Sequence, residues 1–141
     1  MDAQTTLKER FGFDQFRGRQ GQIIDHVLAG NHALVLMPTG MGKSLCYQIP
    51  ALLGDGLTLV ISPLIALMKD QVDALLAKGI DASFINSSLK KNERERRYQN
   101  VEQGRYKLLY VTPERFRKEE FLAAIDKRTV DLLAVDEAHC I

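Results

Sequence analysis

At 141 residues, with 45% hydrophobic and 26% charged side chains, the chain has the composition of a folded domain able to bury a core, which excludes wholesale disorder. Nineteen Lys and Arg against eighteen Asp and Glu leave a formal net charge of +1, so the overall charge selects no class of partner. No apolar run approaches the roughly 18 residues needed to cross a bilayer, and the opening MDAQTTLKERFGF lacks the charged-then-apolar design of a secretion signal. The expectation is a cytoplasmic protein with no membrane partner.

In chain order, residues 5–30 read as two helices around a polar turn. Short apolar, partly β-branched runs follow: ALVLM (33–37), LTLVI (57–61), ASFI (82–85), LLYV (108–111) and LLAV (132–135). Most are continuous rather than alternating, the pattern of parallel strands covered on both faces. Between them, Ile65, Met68, Val72, Leu75 and Leu76 recur at helical spacing over 64–78, with Gly79 as the cap. The stretch SSLKKNERERRYQNVEQG (87–104) starts on a candidate Ser cap and stops at Gly104, and 119–127 make a shorter helix. Strand and helix in this rhythm predict an α/β fold: right-handed crossovers and a parallel sheet with helices on both faces. From Lys90 to Lys118 ten Lys and Arg face only four Glu, enough local charge to meet a polyanion or simply a solvated helix face. Cys46 and Cys140 stand alone, without the spacing of a zinc site or a disulfide framework, and read as packing residues.

The first run leads into MPTGMGKSLCYQIPALL. Here Gly40, Gly42, Lys43 and Ser44 supply the G-x-G-K-S end of a phosphate-binding loop between a predicted strand and a predicted helix. Glycines let successive N–H groups turn toward one anion, and the helix start adds its positive dipole end. Thr39 and Met41 belong to the same loop. Lys43 is placed to reach the β- and γ-phosphates, and the Ser44 hydroxyl to ligate Mg²⁺. The strict pattern has Gly where this chain has Met37.

LLAVDEAH ends the last predicted strand on two acids. Alone, such a pair is more often a cap or a surface turn. Coupled to a phosphate loop, Asp136 suits Mg²⁺ and Glu137 suits the attacking water. ATP with Mg²⁺ is therefore the expected ligand. No arginine sits in a recognisable finger context to meet charge on the transferring phosphoryl group.

These residues resemble the N-terminal part of a RecQ-family DNA helicase, from about Leu7 to Ile141. FGFDQFRGRQ is similar to the family's motif 0, MPTGMGKSLCYQIPAL to motif I, VISPLIALMKDQV to motif Ia, YVTPER to motif Ib and VDEAHCI to motif II. DEAHC, together with FRxxQ ahead of the loop, separates the chain from the DEAH-box RNA helicases, which share the letters DEAH. The departures are Gly18-Arg19, where the family has Pro-Gly, and Met41, where a third Gly is common; they bear on the turn before Gln20.

The resemblance implies a RecA-like P-loop NTPase domain, incomplete at its C-terminus. Residues 1–30 would form a helical segment carrying adenine recognition, and 31–141 the truncated first motor domain. It implies an ATP-hydrolysing helicase moving 3′ to 5′ on single-stranded DNA, acting on duplex DNA in recombination and repair, and associated with the nucleoid in a bacterium. Gln20 with Arg17 matches the adenine-reading pair, an amide being able to bond adenine N6 and N7 together. Phe13 matches the stacking aromatic, with core packing as the ordinary reading for Phe13 or Phe16. Lys43 and Glu137 are the catalytic candidates, and Ser44 and Asp136 the metal ligands. Ser62, Lys69, Gln71, Thr112 and Arg115 are candidate strand contacts, and His139 a candidate coupler of nucleotide state to DNA. The second RecA-like domain with its Arg finger, and a zinc-binding region, are expected only beyond Ile141. On its own the chain is expected to turn ATP over poorly. The other readings are a nucleotide- and DNA-binding module without motor activity, or part of an RNA helicase.

Overall fold

The computed structural model describes residues 2–35 and 42–136. Two compact units, Met1–Asp55 and Gly56–Ile141, make up the chain, each with its own core. In the first, the Asp2 carboxylate caps α1 (Ala3–Thr6) by accepting the Thr5 N–H at 2.8 Å. The helix widens into a π-turn, Leu7–Phe11, which Gly12 closes with φ 76°. After a polar turn comes α2 (Gln20–Leu28), and then α3 (Leu45–Leu53). Leu7, Ile24, Leu45 and Ile49 form the core of this unit, with Phe11, Phe16 and Leu53 packed against it. The expected helix pair of residues 5–30 is thus present, with the first helix beginning earlier.

The expected strand at 33–37 is not formed in its described part. Residues 33–35 carry no regular structure, and Leu34 is 83% exposed. An apolar run becomes a strand only by pairing in a ladder, and 33–35 enter none. Met37 lies outside the described residues.

The second unit is a parallel sheet of β1 (Leu57–Ile61), β2 (Ala82–Ile85), β3 (Leu108–Val111) and β4 (Val130–Val135), in the order β2-β3-β1-β4. Its connections hold α4 (Ile65–Ala77), α5 (Lys91–Glu102) and α6 (Glu119–Asp126), as parallel pairing requires of a crossover. Three of the apolar runs coincide with their strands, and LLAV lies inside β4. On one face Leu57, Leu59, Leu109, Val111 and Ile85 pack against Tyr98 and Val101 of α5 and Phe121 and Ala124 of α6. Tyr110 points the other way, where it lines a void with Leu67 and Met68 of α4. Helices therefore cover both faces.

Local devices finish the elements. Gly79 and Gly104 follow α4 and α5 at φ 75° and 76°, the left-handed turn that ends a helix. Arg128 Nη1 donates to the Val101 carbonyl at 3.2 Å, satisfying one of the last carbonyls of α5. At the other end the expected Ser cap is not made. The Ser88 N–H and hydroxyl both donate to Asn86 Oδ1, and α5 starts at Lys91 with no side-chain cap. Arg97 reaches from α5 to β2, donating to the Phe84 carbonyl at 2.7 Å and lying 4.6 Å from the Phe84 ring centroid. It thereby blunts the outer edge of β2.

The β1–β4 register shifts between Leu57 and Thr58, leaving Asp131 as the extra residue of a bulge. Its carboxylate accepts the Gly56 N–H, and a Cβ on Gly56 would stand 2.3 Å from the Thr129 carbonyl oxygen. Gly56→Ala is expected to cost about 1–3 kcal/mol through this forced shift. Urea unfolding checks it, and an unchanged midpoint would mean that the bulge relaxes freely.

Candidate functional site

The first cluster lies at the head of α3. The carbonyls of Gly42, Lys43 and Ser44 accept N–H groups from Leu45, Cys46 and Tyr47 at 3.2, 3.0 and 3.2 Å, so winding begins inside the motif. Lys43 and Ser44 thus stand at the N-terminus of a nine-residue helix, where anions are favoured. Residues Leu45 to Ala51 are all buried. Burial also pushes the Cys46 thiol up from its ordinary value, as suits a packing residue. Thr39, Gly40 and Met41 lie outside the described residues.

Gln20 opens α2 and is only 2% exposed. Its Oε1 accepts the Arg17 N–H at 2.8 Å, and its Nε2 donates to the Gly42 carbonyl at 3.0 Å. The sequence suggested a base reader and gave no sign of this second task. Arg17 is exposed. Phe13 is 46% exposed, a ring open to stacking, whereas Phe16 packs against the core as one of the two was expected to do.

The second cluster belongs to the other unit. Parallel pairing puts the C-terminal ends of all four strands on one edge, the edge at which ligands collect in open α/β sheets. Ser62 follows β1, Asn86 follows β2, Thr112 follows β3 and Asp136 follows β4. The ladder fixes two of them directly: Ser62 N–H donates to the Val111 carbonyl at 3.0 Å and Asp136 N–H to the Ile61 carbonyl at 2.8 Å. Ser62, Gln71, Tyr110 and Asp136 line one void of about 10 Å³, room for a single water. The structure thus joins Asp136 to Ser62 and Gln71, which sequence reading had assigned to a different task. Asn86, fully buried at this edge, was missed; its only signal is an Asn directly after an apolar run.

The candidate strand contacts differ in how they present themselves. The Ser62 hydroxyl accepts the Leu64 N–H at 3.2 Å, shaping the turn into α4. Lys69 projects into solvent and pairs with Asp73 at 2.6 Å. That hydrogen bond, with the Asp73 charge, raises the lysine's pKa and keeps it cationic. Thr112 and Arg115 are buried, Arg115 to 6% exposure. Among the described residues neither the Thr112 hydroxyl nor Arg115 Nε has a hydrogen-bond partner, and Arg115 Nη1 makes a long bond, 3.4 Å, to the Tyr98 hydroxyl. Glu137 and His139 lie outside the described residues.

Ser44 and Asp136 are hard oxygen donors of the kind Mg²⁺ takes when it is shared with phosphates. Among the described residues no group of three or more His, Cys, Asp and Glu is placed to hold a metal. Among them, too, no helix is long and apolar enough to cross a membrane.

Residues 17–141 match the family model described as DEAD/DEAH box helicase. The chain is 52% identical over 139 residues to the ATP-dependent DNA helicase RecQ of Haemophilus influenzae, covering 99% of this chain and 22% of that protein. With the protein of the same name from Bacillus subtilis it shares 50% identity over 140 residues, covering 99% and 24%. Against the ATP-dependent DNA helicase Q5 of Mus musculus, identity is 44% over 145 residues, covering 97% and 15%. The chain therefore spans less than a quarter of the length of these relatives.

The buried, poorly bonded Arg115 yields a prediction. Arg115→Met keeps the stem and removes the guanidinium, so the unfolding free energy should stay within about 1 kcal/mol of the parent, or rise. A loss above roughly 2 kcal/mol in urea would show instead that the guanidinium holds this corner together.

Proposed function

This chain belongs to the DEAD/DEAH box helicase family, and we propose that it is the ATP-binding front of the first RecA-like motor domain of an ATP-dependent DNA helicase of RecQ type. The carrying observation is the 52% identity to a RecQ helicase across 99% of the chain. The whole protein then couples ATP hydrolysis to 3′-to-5′ movement on single-stranded DNA, opening duplex DNA in the cytoplasm or on the nucleoid. A second RecA-like domain supplies the arginine that this chain lacks in finger position.

Each residue has a physical task in this reading. Phe13 stacks on the adenine, and Gln20 with Arg17 binds its edge. Lys43 and the head of α3 take the phosphates, with Thr39, Gly40, Met41 and Gly42 shaping the loop. The Ser44 hydroxyl and Asp136 carboxylate would hold Mg²⁺, which when bound neutralises charge on the phosphoryl oxygens. Glu137 orients the attacking water and accepts its proton. Lys69 meets the strand backbone from solvent, with Ser62 and Gln71 behind it. Arg115 and Thr112 are the buried donors at the sheet edge whose bonding capacity a phosphate oxygen would complete. The void shared by Asp136, Ser62 and Gln71 gives metal ligand and strand contacts a common wall, and His139 follows in the same segment.

Two measurements test the reading. Single-stranded DNA should stimulate ATP hydrolysis by the full-length protein well beyond any effect of RNA of the same sequence; equal or greater stimulation by RNA would remove the DNA assignment. Lys43→Ala should abolish turnover, and Glu137→Gln should lower kcat by about 100-fold or more while ATP still binds. A Glu137→Gln enzyme with near-parental kcat would take the proton-accepting role from that residue.

A further inference from the structure

Gly42 poses a mechanical problem. It sits at φ 72°, and glycine's wide freedom means that the local backbone does little to hold it there. Yet its carbonyl starts α3, accepting the Leu45 N–H at 3.2 Å, and the next two residues are the phosphate-loop Lys43 and Ser44. Something outside the loop must restrain it.

The Gln20 amide does so. Its Nε2 donates to that same Gly42 carbonyl at 3.0 Å across 22 residues of sequence, while Oε1 is anchored on the Arg17 N–H at 2.8 Å. The amide packs tightly on the glycine: a Cβ there would lie 2.5 Å from Nε2. The helix that carries Gln20 is itself tied to α3, because Ile24 of α2 shares a core with Leu45 and Ile49. A buried, doubly anchored amide on a fixed helix is a rigid strut before any ligand arrives.

We propose that Gln20 is a positioning residue for the phosphate loop: it holds the Gly42 carbonyl, and with it the Lys43–Ser44 turn, in place whether or not a base is bound. This rests on the nucleotide-binding reading above and adds to it a separate consequence. If Gln20 served only the adenine, its loss would be felt only by ligands that carry a base. As a strut, it is also felt by a bare phosphate chain.

The probe is therefore Mg²⁺–tripolyphosphate, titrated beside Mg²⁺–ATP into the protein and its Gln20→Met and Gln20→Ala variants. Methionine keeps the buried volume and deletes the hydrogen bonds to Arg17 and Gly42, so a matched melting temperature shows that packing survives. Tripolyphosphate affinity should fall about five- to tenfold in both variants, the effect of one buried hydrogen bond. ATP affinity should fall at least as far. Independently of any ligand, hydrogen exchange at the Leu45 N–H should quicken in Gln20→Met, because its acceptor carbonyl is no longer held. Unchanged tripolyphosphate affinity with unchanged Leu45 exchange would overturn the proposal and leave Gln20 a base reader alone. Failure of the unsubstituted protein to bind Mg²⁺–ATP would instead sink the nucleotide reading, and the strut's function with it.

Discussion

The parallel pairing of β1 with two neighbours at once is the constraint on which the second unit depends. β1 carries β3 on one side and β4 on the other, in a register that sets Ile61 beside Val111 and Val135. Because all strands run the same way, every chain leaves the sheet on one edge, and whatever follows a strand is delivered there. Asp136 needs no special loop to reach its place. It is the next residue after β4, and its N–H continues the ladder onto Ile61. Ser62, Thr112 and Asn86 arrive by the same rule, so the chemistry at this edge follows directly from strand length and direction.

Burial shows which of the basic residues face outward. The excess of Lys and Arg from 90 to 118 reads as an electrostatic footprint, but several of these cations are committed inside the fold. Arg97 bonds Glu93 and the Phe84 carbonyl, Arg94 bonds the Leu89 carbonyl, and Arg115 is buried beside Tyr98. What remains for a polyanion is the exposed remainder: Lys90, Lys91, Arg96, Arg105, Arg117 and Lys118. Arg96 shares its charge with Glu93 at 3.3 Å, an exposed pair of small energetic weight. A local charge counted from sequence therefore overstates the number of cations that a nucleic acid could touch directly.

The same contrast marks how far the sequence could be read. Largely apolar runs located β1, β2 and β3 to the residue, because a strand covered on both faces is mostly apolar along its length. Gly79 and Gly104 marked helix ends because only glycine takes the left-handed turn cheaply. The phosphate loop and the terminal acids were read as candidates because such chemistry dictates residue types at fixed spacing. What was not legible depends on partners distant in sequence. ALVLM has strand composition, but its described residues pair with nothing. Ser88 has the chemistry of a cap and spends it on Asn86. Arg115 stands in a polar motif and is buried, and Gln20 bonds a glycine 22 residues away.

Gly42 and Asp136, each within its own unit, show two different ways of fixing a functional residue. Asp136 is held through its main chain, one rung beyond β4, so the sheet itself sets its position. Gly42 has no such rung. Its torsion angle is one that the chain can leave at little cost, and the restraint comes from another residue's side chain. Under the proposed function, geometry and recognition share one amide, so a change at Gln20 alters both together. Loss of ATP binding in a Gln20 variant would therefore not identify the base as the cause. The part owed to the base is what remains after the loss on a base-free phosphate chain has been subtracted.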